Sequence, residues 1–244
     1  MLQEVEITSI EAYLNLIKNS KLSFTKQTHA VDFLFRGQTI DYPLIPKICR
    51  LQAKGDLFKT EKLLLEEFKR TNPLLIEQQR PMDDWDYLTL GQHFGLPTRL
   101  LDWSNNALTA LWFATADTYA KSEEEDSTYA VVWILMAEGS DFNLNIAEVA
   151  PFDVTETKIF RPRIIKQRIN NQSGVFSIHS TAEMSEMRYM NEIDSFSQKL
   201  IKVRFPGAVV QEIRTDLDTL GVNAFTIFPE LEGLCNYLQW RYFE

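Results

Sequence analysis

An uninterrupted apolar segment, YAVVWILM at residues 129–136, constrains the fold of this chain more than any other stretch. A short run that is rich in β-branched and aromatic residues is typical of a strand buried on both faces of a sheet. No stretch reaches the roughly 18 consecutive apolar residues that a membrane-spanning helix needs. The sequence therefore predicts a sheet covered on both sides, and it predicts no membrane partner.

The other segments mix strand and helix patterns without a regular alternation. Strands are predicted at 30–35, 174–179, 201–205 and 224–228, and helices at 10–17, 61–76, 83–94 and from Pro229 onward, with a loop at 96–104. The fold class expected from this order is α+β, a mixed sheet with packed helices. We divide the chain into an N-terminal helical extension, residues 1–29, and an α+β domain, residues 30–244.

Charge and composition exclude several classes of protein. The net charge is −9, which argues against a general basic surface for nucleic acid, although a local basic groove remains compatible with it. The two cysteines and three histidines are too few and too scattered for a disulfide framework or a metal site, so we expect no metal. The N-terminus carries acids where a signal peptide needs basic residues, which predicts a cytoplasmic protein.

The first candidate site motif is Phe35-Arg36-Gly37-Gln38, at the end of a predicted buried strand. Arg36 presents a planar group with five donors, which suits phosphate or carboxylate. Gly37 lets a ligand or another backbone approach closely, and Gln38 adds a polar group beside it. The alternative is a structural ion pair between Arg36 and Asp41 or Asp102.

The second motif is QHFGLPTRLLDWS, residues 92–104. His93 titrates near neutrality, so it suits a general acid or base or a donor to phosphate. We expect His93 and Arg99 to project into the same cleft as Arg36. The alternative is a buried loop held by a bridge between Arg99 and Asp102 and plugged by Trp103.

Two further motifs lie in the second half of the chain. Arg168 and Gln172 precede the predicted strand at Gly174, within a local basic cluster that suits phosphates or is simply a solvated face. Glu230 and Glu232 lie in the first turn of the terminal helix. They are either carboxylates of an active site or acids that stabilise the helix dipole.

With these motifs the chain resembles the FRG domain family, which is named for its (F/Y)RG motif. The resemblance also covers the segment ALTALWFA at residues 107–114 and spans about residues 30 to 240, so the α+β domain is of FRG type. The departures are small, with Ser104, Ala107 and Glu230 standing where Thr, Pro and Asp are commoner. The family occurs mainly in bacteria and their phages and has no settled activity, so the resemblance marks a site without naming a reaction.

Two functions from different classes fit these observations. The first rests on analogy with arginine-type ADP-ribosyltransferases, whose split-sheet core begins with a strand ending in Arg-Gly. An intracellular effector of this kind uses NAD as substrate, with Arg36, His93, Glu230 and Glu232 as catalytic residues and with Gly37, Gln38, Arg99, Arg168 and Gln172 binding the dinucleotide. The carboxylate opposes the positive charge of the oxocarbenium-like state.

The second function is a non-catalytic module that senses or binds a nucleotide or phosphorylated ligand through Arg36, Arg99 and Arg168. The sequence does not identify a macromolecular acceptor. Convergence of Arg36, His93 and one of Glu230 or Glu232 on one cleft favours the enzyme. A closed pair between Arg36 and Asp102 favours the binding module.

Overall fold

The computed structural model describes residues 2–24, 31–71, 81–116, 129–142, 144–163 and 174–243. The strands of this part are β1 Gln3–Glu6, β2 Val31–Gln38, β3 Leu100–Ser104, β4 Tyr129–Glu138, β5 Lys158–Phe160, β6 Gly174–Ile178 and β7 Leu200–Pro206. The α-helices are α1 Ile10–Phe24, α2 Leu57–Thr71, α3 Asp84–His93, α4 Ala107–Ala114, α5 Thr181–Ser185, α6 Asp194–Ser197, α7 Gly207–Thr219, α8 Ala224–Ile227 and α9 Leu231–Phe243. None of the helices in these ranges has the length and apolarity that crossing a membrane requires.

The strands form one mixed sheet in the order β1-β7-β4-β2-β3-β6-β5. The β1–β7 pair is parallel, and the other neighbours are antiparallel. The α+β class with a mixed sheet and packed helices is therefore confirmed. The segment predicted as an N-terminal extension supplies β1 to this sheet, and its helix α1 buries Tyr13 completely; the boundary at residue 30 stays a prediction.

Strand β4 lies inside the sheet, between β7 and β2, and pairs with each of them along most of its length. It is buried on both faces. Val132, Ile134 and Met136 belong to one apolar cluster with helices α1, α4 and α7, whereas Val131 and Trp133 belong to a second cluster on the opposite face. Alternate residues of a strand point to opposite faces, so both faces must be covered. The strand predicted at 129–136 is thus confirmed, including its central position.

The helices on one face cover two separate apolar clusters. The first lies over β1, β7, β4 and β2, and the second lies over β3, β6 and β5, where Leu65 of α2 and Leu88 of α3 pack on Leu100 and Phe176. On the opposite face a single cluster runs across both halves of the sheet. A gap between the two helix-covered clusters therefore opens on one face only.

Two predicted elements are wrong. Residues 100–104, predicted as part of a loop, form β3, because β2 and β6 lie on either side and pair with it. Residues 224–228, predicted as a strand, contain helix α8, which begins with a capping box between Asn223 and Thr226. In both cases the surrounding structure overrides the local pattern of apolar residues.

Candidate functional site

A pocket of about 390 Å³ lies where β2 and β3 meet, on the face that carries the two separate clusters. Of the described residues, Arg36, Gln92, His93, Asp102 and Ser104 supply its polar lining, and Phe35, Trp103, Phe113, Phe176 and Phe228 supply aromatic walls. Concave, mostly apolar sites with a few convergent polar groups are typical of small-molecule binding.

The sheet itself creates this pocket. Strands β2 and β4 pair in register from Val31 to Gln38, but the register between β2 and β3 consists of the single pair Phe35 and Ser104 among the described residues. Next to that pair, the Arg36 side chain crosses to β3 and donates from Nη1 to the backbone carbonyl of Asp102 at 3.0 Å. A side chain thus joins the two strands where their backbone register ends.

Arg36 is a buried cation whose hydrogen bonding is incomplete. Its side chain is 14% exposed, and Nη1 also reaches Asp102 Oδ2 at 3.5 Å. Its buried Nε has no hydrogen-bond partner among the described residues. Burial lowers the pKa of Arg36, the Asp102 carboxylate raises it, and nearby Arg50 lowers it further. An arginine keeps its charge under these conditions, so the pocket holds a positive group with unused donors.

Asp102 is held by a second neighbour, Gln92 at the end of α3. The Gln92 amide donates to Asp102 Oδ2 at 2.7 Å, and Thr98 donates its hydroxyl proton to Gln92 Oε1 at 2.5 Å. Thr98 in turn accepts from the backbone N–H of Leu100. The Thr98 contact fixes which end of the Gln92 amide faces Asp102, since only the nitrogen can donate. Asp102 Oδ2 is therefore an acceptor in this arrangement.

His93 lies at the last residue of α3 and lines the same pocket as Arg36. Its ring packs edge-on against Phe94, with ring centroids 5.2 Å apart. The expectation that the segment at 92–102 lines the cleft beside Arg36 holds for Gln92, His93 and Asp102. The chemical role of His93 remains a prediction.

Arg99 lies elsewhere, contrary to the expectation that it projects into the cleft. Its guanidinium donates from Nε and Nη2 to the two carboxylate oxygens of Glu61 on α2, at 2.8 and 2.5 Å. The side chains are 1% and 2% exposed, and the ring of Phe152 lies 4.9 Å from the guanidinium carbon. Asp102 pairs with Arg36 instead of Arg99. Arg99 therefore joins α2 to the segment that leads into β3, inside the protein.

The other residues of the first motif have mainly structural contacts. A Cβ on Gly37 would lie 2.6 Å from the backbone nitrogen of Ala114, so Gly37 allows α4 to pack directly on β2. Gln38 lies outside the pocket lining and accepts from Trp133 Nε1 at 2.7 Å. Asp41, the other acid considered for Arg36, pairs with Lys202.

Glu230 and Glu232 are exposed at the start of α9 and are absent from the pocket lining. The chain enters the pocket two residues earlier, at Phe228, whose ring packs on Phe113. A Cβ on Gly233 would lie 2.8 Å from Phe228 Cβ, so this glycine allows α9 to approach the aromatic wall. The predicted residues Arg168 and Gln172 lie outside the described residues.

A buried polar chain behind the pocket was not predicted as part of the site. Trp103 Nε1 donates to Ser177 Oγ at 3.1 Å, Ser177 Oγ lies 3.3 Å from His179 Nε2, and Thr157 Oγ1 lies 3.3 Å from His179 Nδ1. Thr157 donates to Glu183 at 2.8 Å. Burial, followed by the charges of Arg36 and Arg99, lowers the pKa of His179 to about 3. The ring is therefore neutral, and the chain holds the indole of Trp103 in the apolar cluster on the face opposite the pocket.

The sequence carried only weak signals for these groups. Alternation along residues 174–178 places Phe176 and Ser177 on opposite faces of a strand. A polar Ser177 in a buried strand indicates a hydrogen-bond partner inside the protein. Nothing local distinguishes Phe113 or Phe228 from ordinary core residues.

Among the described residues, no group of three or more His, Cys, Asp or Glu side chains converges in a way that could hold a metal ion. Comparison with curated proteins and with solved structures finds no match. Residues 31–123 match the family described as FRG domain. This range contains Arg36, Gly37 and the motif at 92–104, and therefore most of the polar lining of the pocket. The family model thus matches the part of the chain that carries the first two motifs, which agrees with the predicted resemblance to FRG domains.

Proposed function

We propose that this protein binds a nucleotide in the pocket between β2 and β3. The observation that carries the proposal is the buried guanidinium of Arg36, whose Nε lacks a partner among the described residues. An unsatisfied buried donor is costly, and an acceptor from a ligand removes that cost. Phosphate suits this position because arginine donors match its oxygens in charge and in geometry.

The aromatic lining supports a flat ring as the second part of the ligand. Phe113 and Phe228 are partly exposed residues of the lining, whereas Phe35 and Trp103 are buried behind it. Stacking of a base on an aromatic side chain contributes about 1–3 kcal/mol and tolerates different bases. A nucleotide has both parts, a flat base that can stack on the aromatic walls and an anionic phosphate that can bind Arg36.

The volume of the pocket favours a small nucleotide. Its 390 Å³ lies near the lower end of the range of about 300–1,000 Å³ that is typical of ligand pockets. A mononucleotide fits this space, whereas a dinucleotide such as NAD must extend beyond it.

ADP-ribosyl transfer from NAD is the second candidate, and one observation favours it. The carboxylate of Asp102 lies in the same pocket as Arg36 and His93, where it can oppose the charge of an oxocarbenium-like state. In that reaction the bond between the ribose and nicotinamide breaks, nicotinamide leaves with the bonding electron pair, and an acceptor nucleophile bonds to the ribose carbon. In this proposal Asp102 has the role that was predicted for Glu230 or Glu232.

Calorimetric titration with AMP, ADP, GMP, UMP and nicotinamide mononucleotide tests nucleotide binding. We expect saturable binding of at least one of them to the wild-type chain and loss of that binding in Arg36→Gln. Arg188→Gln is the control, since Arg188 forms an exposed pair with Glu186 and lies outside the pocket lining. Heats that stay at the dilution level for every nucleotide, or equal binding by Arg36→Gln, contradict the proposal.

Transfer is tested separately by incubation with labelled NAD and candidate protein, DNA and RNA acceptors, followed by mass spectrometry. Release of nicotinamide together with a labelled acceptor, lost in Asp102→Asn, supports the second candidate. Nucleotide binding without either product leaves a binding module.

A further inference from the structure

We infer that the free oxygen of Asp102 selects for a sugar hydroxyl of the ligand, so that the pocket prefers ribonucleotides to 2′,3′-dideoxyribonucleotides. This inference rests on the proposed nucleotide binding. It concerns a different atom from the Arg36 donors that hold the phosphate.

The two carboxylate oxygens of Asp102 have unequal surroundings. Oδ2 accepts from the Gln92 amide at 2.7 Å and lies 3.5 Å from Arg36 Nη1. Oδ1 has no partner among the described residues, and the side chain, which lines the pocket, is 55% exposed. An ionised carboxylate accepts hydrogen bonds and donates none. The free oxygen can therefore be used only by a donor from the ligand or from water.

The orientation of this carboxylate is set from inside the protein. The backbone N–H of Leu100 donates to Thr98, Thr98 donates to Gln92, and Gln92 donates to Asp102. Thr98 is completely buried, so the start of this chain of hydrogen bonds is shielded from water. All three bonds run in one direction, which keeps Oδ2 occupied and leaves Oδ1 for the pocket.

The position of Asp102 next to Arg36 indicates which ligand donor it meets. A phosphate bound by Arg36 is repelled by the carboxylate, so it occupies the guanidinium atoms away from Asp102. The donor that contacts Oδ1 must then lie close to the phosphate along the ligand. In a nucleotide the sugar hydroxyls lie a few bonds from the phosphate, whereas the exocyclic amines of the base lie farther away. The sugar is therefore the group that Asp102 contacts.

Paired titrations of the ribo and 2′,3′-dideoxy forms of the 5′-monophosphates AMP, GMP and CMP test the inference. A hydrogen bond to a charged acceptor corresponds to a preference of about tenfold or more in Kd for the ribo form. Asp102→Ala should bring the two forms within about twofold of each other. Asp216→Ala is the matched control, because it removes the same charge from an exposed position on α7 outside the pocket.

A second variant covers the case in which Asp102→Ala does not fold. Asp102→Asn keeps the size of the side chain, and the Gln92 donor directs the new amide oxygen to the Oδ2 position. The amide nitrogen then replaces Oδ1, and the preference for ribose should fall.

The outcomes separate the inference from the proposal on which it rests. Equal Kd values for ribo and 2′,3′-dideoxy forms in the wild type overturn the inference and leave nucleotide binding intact. A preference that survives in both Asp102 variants overturns the assignment to this residue. The absence of binding by every nucleotide overturns both.

Discussion

Arg99, the residue before β3, forms a two-point ion pair with Glu61 of α2, and both side chains are almost completely buried. The remaining donor of Arg99 lies 3.4 Å from the backbone carbonyl of His179 and 3.4 Å from the hydroxyl of Thr181. This arginine of the motif at 92–104 is therefore a structural link between elements that are distant in sequence.

Removal of the acid from this pair should destabilise the protein strongly. Glu61→Gln leaves the Arg99 charge buried without its counter-ion, which costs about 3–5 kcal/mol in comparable pairs. Urea denaturation measures the loss in free energy of unfolding. The matched control, Glu186→Gln, breaks an exposed pair with Arg188 and should change stability little. Similar stability of the two variants would contradict the structural assignment.

A methyl group at position 37 should also destabilise the fold. In Gly37→Ala the new Cβ lies 2.6 Å from the backbone nitrogen of Ala114, so α4 must move away from β2. Overpacking of this kind typically costs about 1–3 kcal/mol. Thermal denaturation should show a clear fall in Tm for Gly37→Ala. Gly55→Ala, at a position with open space around it, should keep the wild-type Tm.

His179 should make stability depend on pH. Its pKa is lowered to about 3 in the folded state from an ordinary value of 6.5, so the unfolded chain takes up the proton first as pH falls. The contribution of the neutral ring is complete above pH 6.5 and is lost as pH falls below it. The loss approaches about 1.4 kcal/mol per pH unit.

Urea titrations at pH 7, 6 and 5 of the wild type and His179→Asn measure this dependence. The difference in unfolding free energy between the two proteins should shrink at each step toward pH 5. A constant difference would show that His179 ionises alike in the folded and unfolded states.

The two acids at the start of α9 should be dispensable for ligand binding. Glu230→Gln and Glu232→Gln change residues outside the pocket lining, so the affinity measured by titration should match the wild type. Glu232→Gln should lose about 0.3–1 kcal/mol of stability, because an acid in the first turn stabilises the helix dipole. A loss of affinity in either variant would return that acid to the site.

Patterns of buried residues were sufficient to predict the central strands. Strand β4 is apolar at almost every position, a pattern that indicates burial on both faces. Strand β7 alternates Val203 and Phe205 with charged residues, a pattern that indicates burial on one face. Strand β3 was not predicted, because its sequence LLDWS contains the charged residue Asp102 and follows Pro97 and Thr98. Residues of these types are typical of a loop. Its pairing depends on β2 and β6, which are distant in sequence.

The polar site was predictable only in part. The FRG motif and the segment at 92–104 pointed to Arg36 and His93, which line one pocket. The fate of Arg99 was not predictable, because its partner Glu61 lies 38 positions away in the sequence, on a separate helix. Likewise, local sequence does not show that the chain meets the pocket at Phe228 and turns Glu230 outward.

Among the described residues a single register pair joins β2 to β3, and this has a consequence for the expected motion of the sheet. One half of the sheet is β1-β7-β4-β2 and the other is β3-β6-β5, with a shared apolar cluster on one face and a gap on the other. We therefore expect the β2–β3 boundary to act as a hinge line between the two halves of the sheet. A ligand that contacts Arg36 on one half and Asp102 on the other would lock the hinge. Its binding would then slow amide exchange in β5, a strand that does not line the pocket.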